Sequence, residues 1–502
     1  MHKPRMRGWL MVFAAALAAS AALAGCGDKP AAPALAASGP AATRPALPVA
    51  DRETFPATGL RSIFREDFPF VSRDGEVDPV SVPPARPGCG ARLLCDGPER
   101  LAWRLRLIGA SRESIRLQTF IFTADGAGNQ VAEALKKSRG AGRLIKLTVD
   151  CYTKFQPADR LLYNGLELAG IKVMGLEPAY LTGVAEQNQV SVNDVNMRFH
   201  EKYFVVDEQV AIVGGTNVAN EYYRFGDDPA SMWRDQDVLL TGPVVHDVTR
   251  AFDDNYEYFK LRRDGRLPTN RAAWFKQAWW MIAGEPPPVD AAPKPGRLDI
   301  AATDLDADNV TARFLRHRPR RHEDFLFQTY LHLIDNAQKS IVIENAYFVP
   351  NRALLNALMR AAKRGVKVRV ITNSAETNDV PNMQPLSRYS YFGLIGNGAE
   401  IYEWQGDHPG KGCLHVKAAV FDGQVVVIGS CNLDPRSLGI NSEDVVLLDS
   451  EALAQKLTRW IETVDLKNSQ RIDAAQARAW HEPGHIDETF RLLFGKAMED
   501  WI

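Results

Sequence analysis

The stretch His200-Glu201-Lys202-Tyr203-Phe204-Val205-Val206-Asp207-Glu208-Gln209-Val210-Ala211-Ile212-Val213-Gly214-Gly215-Thr216-Asn217 has a counterpart in His415-Val416-Lys417-Ala418-Ala419-Val420-Phe421-Asp422-Gly423-Gln424-Val425-Val426-Val427-Ile428-Gly429-Ser430-Cys431-Asn432. In both, His-x-Lys is followed after four residues by Asp and after six more by Gly-[Gly/Ser]-x-Asn. At ~5% per fixed residue, one such match arises by chance in roughly one chain in 10^5. A second copy with identical internal spacing makes coincidence a poor explanation and points to one composite site.

A strand alternates its side chains, so His200 and Lys202, like His415 and Lys417, reach one space and can address one phosphate. Residues 202–206 and 209–213 read as short strands folded back at Asp207-Glu208. Residues 418–421 and 424–428 do the same around Asp422-Gly423, a strong hairpin dipeptide. The return strand brings Asn217 or Asn432 back beside its own His and Lys. The small residues before each Asn allow backbone or substrate to approach closely.

The duplicated motif resembles the HKD signature of the phospholipase D superfamily. Matching flanks run along most of residues 100–450. Asn432-Leu433-Asp434-Pro435-Arg436-Ser437, Asn441-x-Glu443, Tyr347-Phe348-Val349-Pro350, Ala361-Ala362-Lys363-Arg364-Gly365-Val366 and Trp233-Arg234-Asp235 are similar to bacterial cardiolipin synthases. Thr372-Asn373-Ser374 with Asn378-Asp379-Val380 resembles the subgroup that lacks paired N-terminal membrane helices.

At 502 residues the chain exceeds what one core supports. An apolar content of 45% and a charged content of 24% are ordinary for a globular protein. The net charge of -1 supplies no global field to attract nucleic acid, and none is expected as a partner. The first residues read as a leader. His2, Lys3, Arg5 and Arg7 precede an apolar run over residues 9–23, short for a spanning helix. Leu23-Ala24-Gly25-Cys26 then resembles a lipobox, which implies that Cys26 carries lipid; a plain signal peptide is the alternative. Residues 27–50 form an Ala/Pro-rich tether. Gly27 after Cys26 favours, by lipoprotein sorting rules, the outer over the inner membrane, with the protein facing the periplasm. Six cysteines leave five once Cys26 is lipidated. Cys89 and Cys95 are close enough in sequence to form a disulfide. Cys431 reads as a small buried apolar residue. No spacing resembles a zinc site, and neither metal nor cofactor is expected.

The duplication extends beyond the motifs. Residues 107–115 echo 333–341, each ending a helix and running into an apolar strand (115–122, 341–348). A helix (129–138, 352–364) and another strand (144–149, 366–371) follow in each half. The expected fold is α/β: two pseudo-symmetric phospholipase D-like lobes, each a mixed β-sheet flanked by helices, packed face to face around one shared active site. The divisions are a lead-in over 51–100, a first lobe over 101–285, a Pro-rich linker over 286–296 and a second lobe over 297–502.

The resemblance implies transfer of a phosphatidyl group through a phosphohistidine, with His200 as nucleophile and His415 as general acid and later base; symmetry leaves the reverse open. Lys202, Lys417, Asn217 and Asn432 would hold non-bridging oxygens. Asp235 and Glu443 match carboxylates that orient the histidines. Ser430 joins the phosphate-binding set, whereas Gly215-Thr216 departs from the commoner pattern by lacking that hydroxyl. Asp207 and Asp422 belong to the signature but fall at turns, where Asp commonly binds backbone. The expected substrates are phospholipids at a membrane surface, phosphatidylglycerol foremost, with the oligomeric state open. Hydrolysis to phosphatidic acid is the nearest alternative, followed by a phosphodiester nuclease and an inactive lipid-binding lipoprotein. The aromatic segment 271–282 reads as a core helix or an interfacial one. Arg-rich 313–321 reads as a headgroup site or a solvated cluster, and His322, His332 and His408 as ordinary surface or packed residues.

Overall fold

The computed structural model describes residues 58–70, 82–150, 157–175, 198–228, 232–264, 298, 300–318, 323–380, 383–408 and 411–481. The leader with Cys26, the tether, the aromatic segment 271–282, the Pro-rich linker and His322 lie outside them.

The first half contributes β1 (Arg86–Leu94), β2 (Ser114–Thr119), β3 (Leu144–Val149), β4 (Lys172–Met174), β5 (Tyr203–Val206), β6 (Val210–Gly214) and β7 (Asp237–Thr241). The second half contributes β8 (Ala307–His317), β9 (Ser340–Asn345), β10 (Lys367–Asn373), β11 (Glu400–Trp404), β12 (Lys417–Phe421), β13 (Val425–Gly429) and β14 (Glu443–Asp449), with a short β15 (Ser469–Arg471) at the outer edge. The spatial order of the first half is β1-β7-β6-β5-β2-β3-β4. That of the second is β8-β14-β13-β12-β9-β10-β11, the same order shifted by seven. In each, three strands run parallel (β2-β3-β4, β9-β10-β11) and the remainder are antiparallel. The internal duplication read from residues 107–115 and 333–341 is thus a duplication of a seven-stranded mixed sheet.

Both faces of the central strands are buried, and the period of two sorts their residues between cores. Tyr203 and Val205 of β5 enter a core shared with Ala418 and Val420 of β12, while Phe204 and Val206 point to the other face. Ala211 and Val213 of β6, Val426 and Ile428 of β13, and Val446 and Leu448 of β14 join the shared core. The two sheets therefore pack face to face. Helices α1 (Gly97–Ala110) and α2 (Gly126–Gly140) cover the outer face of the first. Helices α3 (Phe325–Asn336) and α4 (Arg352–Lys363) cover that of the second. Each fully buried Val, Leu or Phe in these cores contributes about 1.5–3 kcal/mol, enough to fix register strongly, since a one-residue slip would invert every side chain.

The lead-in proves to be part of the fold. β1 pairs with β7 on one side and β8 on the other, so the two sheets are also joined along an edge. The β1–β8 register shifts twice, between Arg86 and Cys89 and between Cys89 and Ala91, which is why Arg-Pro-Gly-Cys-Gly-Ala shows no clean alternation. Leu60, Ile63, Phe68 and Phe70 pack into the outer core of the second half. A Cys89–Cys95 disulfide is excluded. Both thiols are free and buried, and six residues of extended chain at roughly 3.3 Å each put them about 20 Å apart, against the 7 Å limit for a bridge.

In the Arg-rich stretch 313–321, residues 319–321 lie outside the described residues, and the three described arginines depart from expectation. Arg313 is buried and donates to the carbonyls of Pro83, Ile63 and Arg65, which ties the lead-in down. Arg316 and Arg318 share Asp254, and Arg316 also binds Glu201 and Asn255. These cations serve neither lipid nor solvent. His332 is packed against Ser62, Asn336 and the edge of Phe68, and His408 is exposed.

Candidate active site

Lys202 immediately precedes β5 and Lys417 opens β12. Their neighbours pair with the ends of β2 and β9, Tyr203 with Gln118 and Lys417 with Asn345. The His-x-Lys pairs therefore stand at the carboxyl ends of the parallel strands, where open α/β sheets place their ligands. Two short parallel bridges then cross between the halves. His200 N donates to Ser442 O at 3.0 Å, and Ser442 N to Arg198 O at 2.9 Å. At the symmetric position His415 N donates to Arg234 O at 2.6 Å, and Arg234 N to Cys413 O at 2.8 Å. Each histidine is thus stitched to the half that does not contain it.

The side chains follow the same crossing. His200 Nδ1 lies 2.9 Å from Glu443 Oε2, and His415 Nδ1 lies 2.8 Å from Asp235 Oδ2. With Nδ1 of both rings engaged, Nε2 is the nitrogen available to a substrate, and a proton on Nδ1 leaves the Nε2 lone pair free. The Asp235 backbone is clamped by two buried arginines, Arg100 and Arg234, which both donate to its carbonyl. Arg234 is in turn fixed by Asp465 at 2.7 Å.

The Gly215 variation acquires a physical reason here. Gly215 N donates to Gln236 O and Ser430 N to Asp444 O, so Gly215 and Ser430 are equivalent, as are Asp235 and Glu443. Ser430 Oγ donates to Glu443 Oε2 at 2.5 Å. Asp235 is one methylene shorter than Glu443 and reaches its histidine by lying against the chain at position 215. A Cβ there would sit 3.0 Å from both Cγ and Oδ2 of Asp235 and closer still to Oδ1. Glycine at 215 is the space the shorter carboxylate occupies.

Burial and charge set the protonation of the site. Burial, assisted by Lys202 and Lys417, holds His200 down to about 4 despite Glu443. Burial and both lysines hold His415 well below its ordinary value. Glu443 is held below the usual glutamate range by His200 and Lys202 in spite of its burial, so it is the carboxylate that carries the charge of its pair. Burial pushes Asp235 up, and Lys417 pulls it back. Burial lowers Lys202 to about 8 and also lowers Lys417. Without substrate both rings are neutral at pH 7, the state a nucleophile requires. An arriving phosphodiester anion favours protonation of the ring beside its leaving oxygen.

The predicted phosphate ligands differ in their settings. Asn217 Oδ1 accepts from Thr119 Oγ1 and from the amides of Phe120 and Ile121, which fixes the amide and leaves its NH2 as the remaining donor. Asn432 is buried, with no partner on Oδ1 among the described residues. Asp207 and Asp422 do not belong to this group. Asp207 accepts from Ser111 Oγ and from the amides of Arg112, Glu113 and Ser114. Asp422 accepts from the amides of Gln338, Lys339 and Ser340. Both sit at positive φ, 51° and 54°, in the hairpins read from Asp207-Glu208 and Asp422-Gly423. They lie roughly 16 Å of strand from Lys202 and Lys417. Of the two readings of these aspartates, member of the catalytic signature or backbone-binding turn residue, the contacts are those of the second: each fastens the helix-to-strand turn of the echoed segment to its motif hairpin.

Sequence reasoning passed over the aromatic shell. The His415 ring is stacked by Trp233 at 5.7 Å, met edge-on by Tyr222 at 5.1 Å and approached by Tyr347 at 6.5 Å, whereas His200 has Phe120 edge-on at 5.2 Å. The signal was present, since Trp233 precedes Arg234-Asp235 and Tyr347 opens Tyr-Phe-Val-Pro.

Comparison with known proteins agrees with this geometry. The family described as "Cardiolipin synthase, PLD-like domain" matches residues 105–256 and 330–464, one match over each motif-bearing half. Cardiolipin synthase B of Escherichia coli (strain K12) is 27% identical over 398 residues, covering 79% of this chain and 85% of the relative. A probable cardiolipin synthase of Bacillus subtilis (strain 168) is 26% identical over 407 residues, covering 80% and 71%. Among solved structures, the phosphatidylserine synthase of Haemophilus influenzae superposes with a TM-score of 0.54 at 15% identity, over 86% of this chain and 95% of that one.

Proposed function

From the premise that this chain belongs to the cardiolipin synthase family of phospholipase D-like enzymes, we propose that it transfers a phosphatidyl group from one phospholipid to the hydroxyl of another, with phosphatidylglycerol as donor. The observation that carries this reading is the crossed pair of histidine–carboxylate contacts, at 2.9 and 2.8 Å, which makes one site from both halves.

In the first step His200 Nε2 attacks phosphorus, and the leaving alkoxide takes a proton from His415. In the second, His415 removes the proton of the incoming alcohol, which displaces His200. General acid–base catalysis of this kind contributes typically 10^2–10^4-fold. Glu443 stabilises the positive charge that develops on His200 once its Nε2 is phosphorylated. Lys202, Lys417 and the Asn217 amide offset the charge gathering on the non-bridging oxygens, in a buried setting where such interactions are strong. Lys202 and Lys417 are anchored for this by their own histidine's carbonyl, to which each ammonium donates.

Placement at a membrane surface is part of the proposal and is supported by the sequence alone: the lipobox-like Leu23-Ala24-Gly25-Cys26, the tether behind it and Gly27, which favours the periplasmic face of the outer membrane. No described helix is long and apolar enough to cross a membrane. The test is direct. The full chain in vesicles rich in phosphatidylglycerol should form cardiolipin and free glycerol. Formation of phosphatidic acid alone, at every lipid density, would instead make the protein a hydrolase.

A further inference from the structure

The pseudo-twofold symmetry of the site is broken in a way that distinguishes its two sides. Before His200 stands Arg198, two residues upstream, with Asp150 Oδ1 3.9 Å from its guanidinium. Around His415 stand the Lys417 ammonium, 3.0 Å from Nδ1, an aromatic wall of Trp233, Tyr222 and Tyr347, and, behind Tyr347, a carboxylate. Tyr347 approaches His415 edge-on and lies 5.9 Å under the Lys417 ammonium. Its hydroxyl donates to Asp379 Oδ1 at 2.7 Å, and the Cys413 thiol meets the same oxygen at 3.4 Å. Among the described residues no side chain donates to Asp379 Oδ2, and Asp379 is only half-buried. Its carboxyl is raised by burial and held back by Tyr347, Cys413 and Lys417, so it belongs electrically to the site.

A carboxylate open on one oxygen and held rigidly on the other is an acceptor for a hydroxyl group. Placed beside the histidine that exchanges protons with alcohols, it would bind a second hydroxyl of the same alcohol. An aromatic wall suits the C–H face of a short polyol, while Lys202 and Lys417 serve the phosphate between the two histidines.

We propose that Asp379, positioned by Tyr347, forms the alcohol subsite of this enzyme and selects acceptors and leaving groups with vicinal hydroxyls, the glycerol headgroup class. This rests on the phosphatidyltransferase reading above. In the transfer step the acceptor oxygen bonds to phosphorus as the P–Nε2 bond to His200 breaks, its electron pair returning to Nε2. The acceptor proton passes to His415 Nε2, and Asp379 accepts a hydrogen bond from the neighbouring hydroxyl without being consumed. The Tyr347–Asp379 pair near His415 puts the alcohol on that side, which leaves His200 as nucleophile.

The test presents phosphatidylglycerol vesicles and the full chain with 1-propanol and 1,2-propanediol in equal amounts, a pair that differs by one hydroxyl. The wild type should favour the diol. Asp379→Asn should reduce the diol-to-propanol product ratio roughly 10- to 100-fold, the worth of one hydrogen bond to a charged group, whatever happens to the absolute rate. Tyr347→Phe, which keeps the ring and frees the carboxylate, should move the ratio the same way by a smaller factor. It should do so through the diol KM more than through kcat, and it serves as the readout if Asp379→Asn does not fold. An unchanged ratio in the folded variants overturns the subsite while leaving the transferase reading intact. A wild type that forms no product from any vesicle overturns both.

Discussion

Replacing Gly215 by Ala tests the site through a single methyl group. The new Cβ would lie 3.0 Å from Cγ and Oδ2 of Asp235 and closer to Oδ1, whereas non-bonded carbons settle at roughly 3.5–4.0 Å, so the carboxylate must withdraw by about 1 Å. Asp235 cannot yield by moving its backbone, because Arg100 and Arg234 hold its carbonyl. The His415 Nδ1–Asp235 Oδ2 separation of 2.8 Å would open beyond hydrogen-bond range. Losing a hydrogen bond to a charged group costs about 1.5–3 kcal/mol, or roughly 10- to 150-fold in rate if its whole effect falls on the transition state. Overpacking adds about 1–3 kcal/mol of destabilisation. The assay is steady-state product formation from phosphatidylglycerol vesicles, with denaturant melts to separate folding from catalysis. Ser430→Ala, which removes the equivalent hydroxyl without adding an atom, should cost less in both measurements. Gly215→Ala protein that retains kcat within threefold, or that loses less than Ser430→Ala, would refute the steric argument and the claim that Asp235 positions His415.

The remaining expectations concern protons and the motif aspartates. Lys202 titrates at about 8, so its charge is present below that pH and lost above it; kcat/KM should fall above roughly pH 8, and Lys202→Arg should shift that limb to higher pH, whereas an unmoved limb would assign it to another group. His332, held at about 4 by burial against an ordinary 6.5, contributes stability that is complete above pH 6.5 and lost as pH falls toward 4, because the unfolded chain takes the proton first. Denaturant melts between pH 6 and 5 should show His332→Gln reducing the slope of stability on pH by roughly 1.4 kcal/mol per unit, and an unaltered slope would contradict the assignment. Asp207→Asn should lower stability by about 2–4 kcal/mol through its lost backbone contacts while leaving kcat of the folded fraction within tenfold; abolished turnover with an unchanged melt would return Asp207 to the chemistry.

How far the sequence carried the argument depended on the range of the interaction. The hairpins at Asp207-Glu208 and Asp422-Gly423, the strands around them and the duplication are local patterns, and the structure contains them as read. Pairing of His200 with Glu443 and of His415 with Asp235 spans 243 and 180 residues. Resemblance picked out both carboxylates, yet nothing along the chain says that they cross between halves. That follows from the short bridges at Ser442 and Arg234. β1 was hidden because a bulged strand at the seam of two sheets lacks period-two alternation. Arg313, Arg316 and Arg318 were misread because composition alone does not distinguish a surface basic patch from buried cations, each with its own acceptor.

The composite site with His200 as nucleophile is tested most directly by trapping the covalent intermediate. Wild-type protein, incubated briefly with phosphatidylglycerol labelled in its diacylglycerol phosphate portion and quenched in alkali, should carry phosphate label, and His415→Ala protein, without the acid of the first step, should carry much less. Trypsin should place it in the peptide Phe199–Lys202, and His200→Ala protein should carry none. Label on His415 in the His200→Ala protein, or full turnover by either variant, would contradict the account.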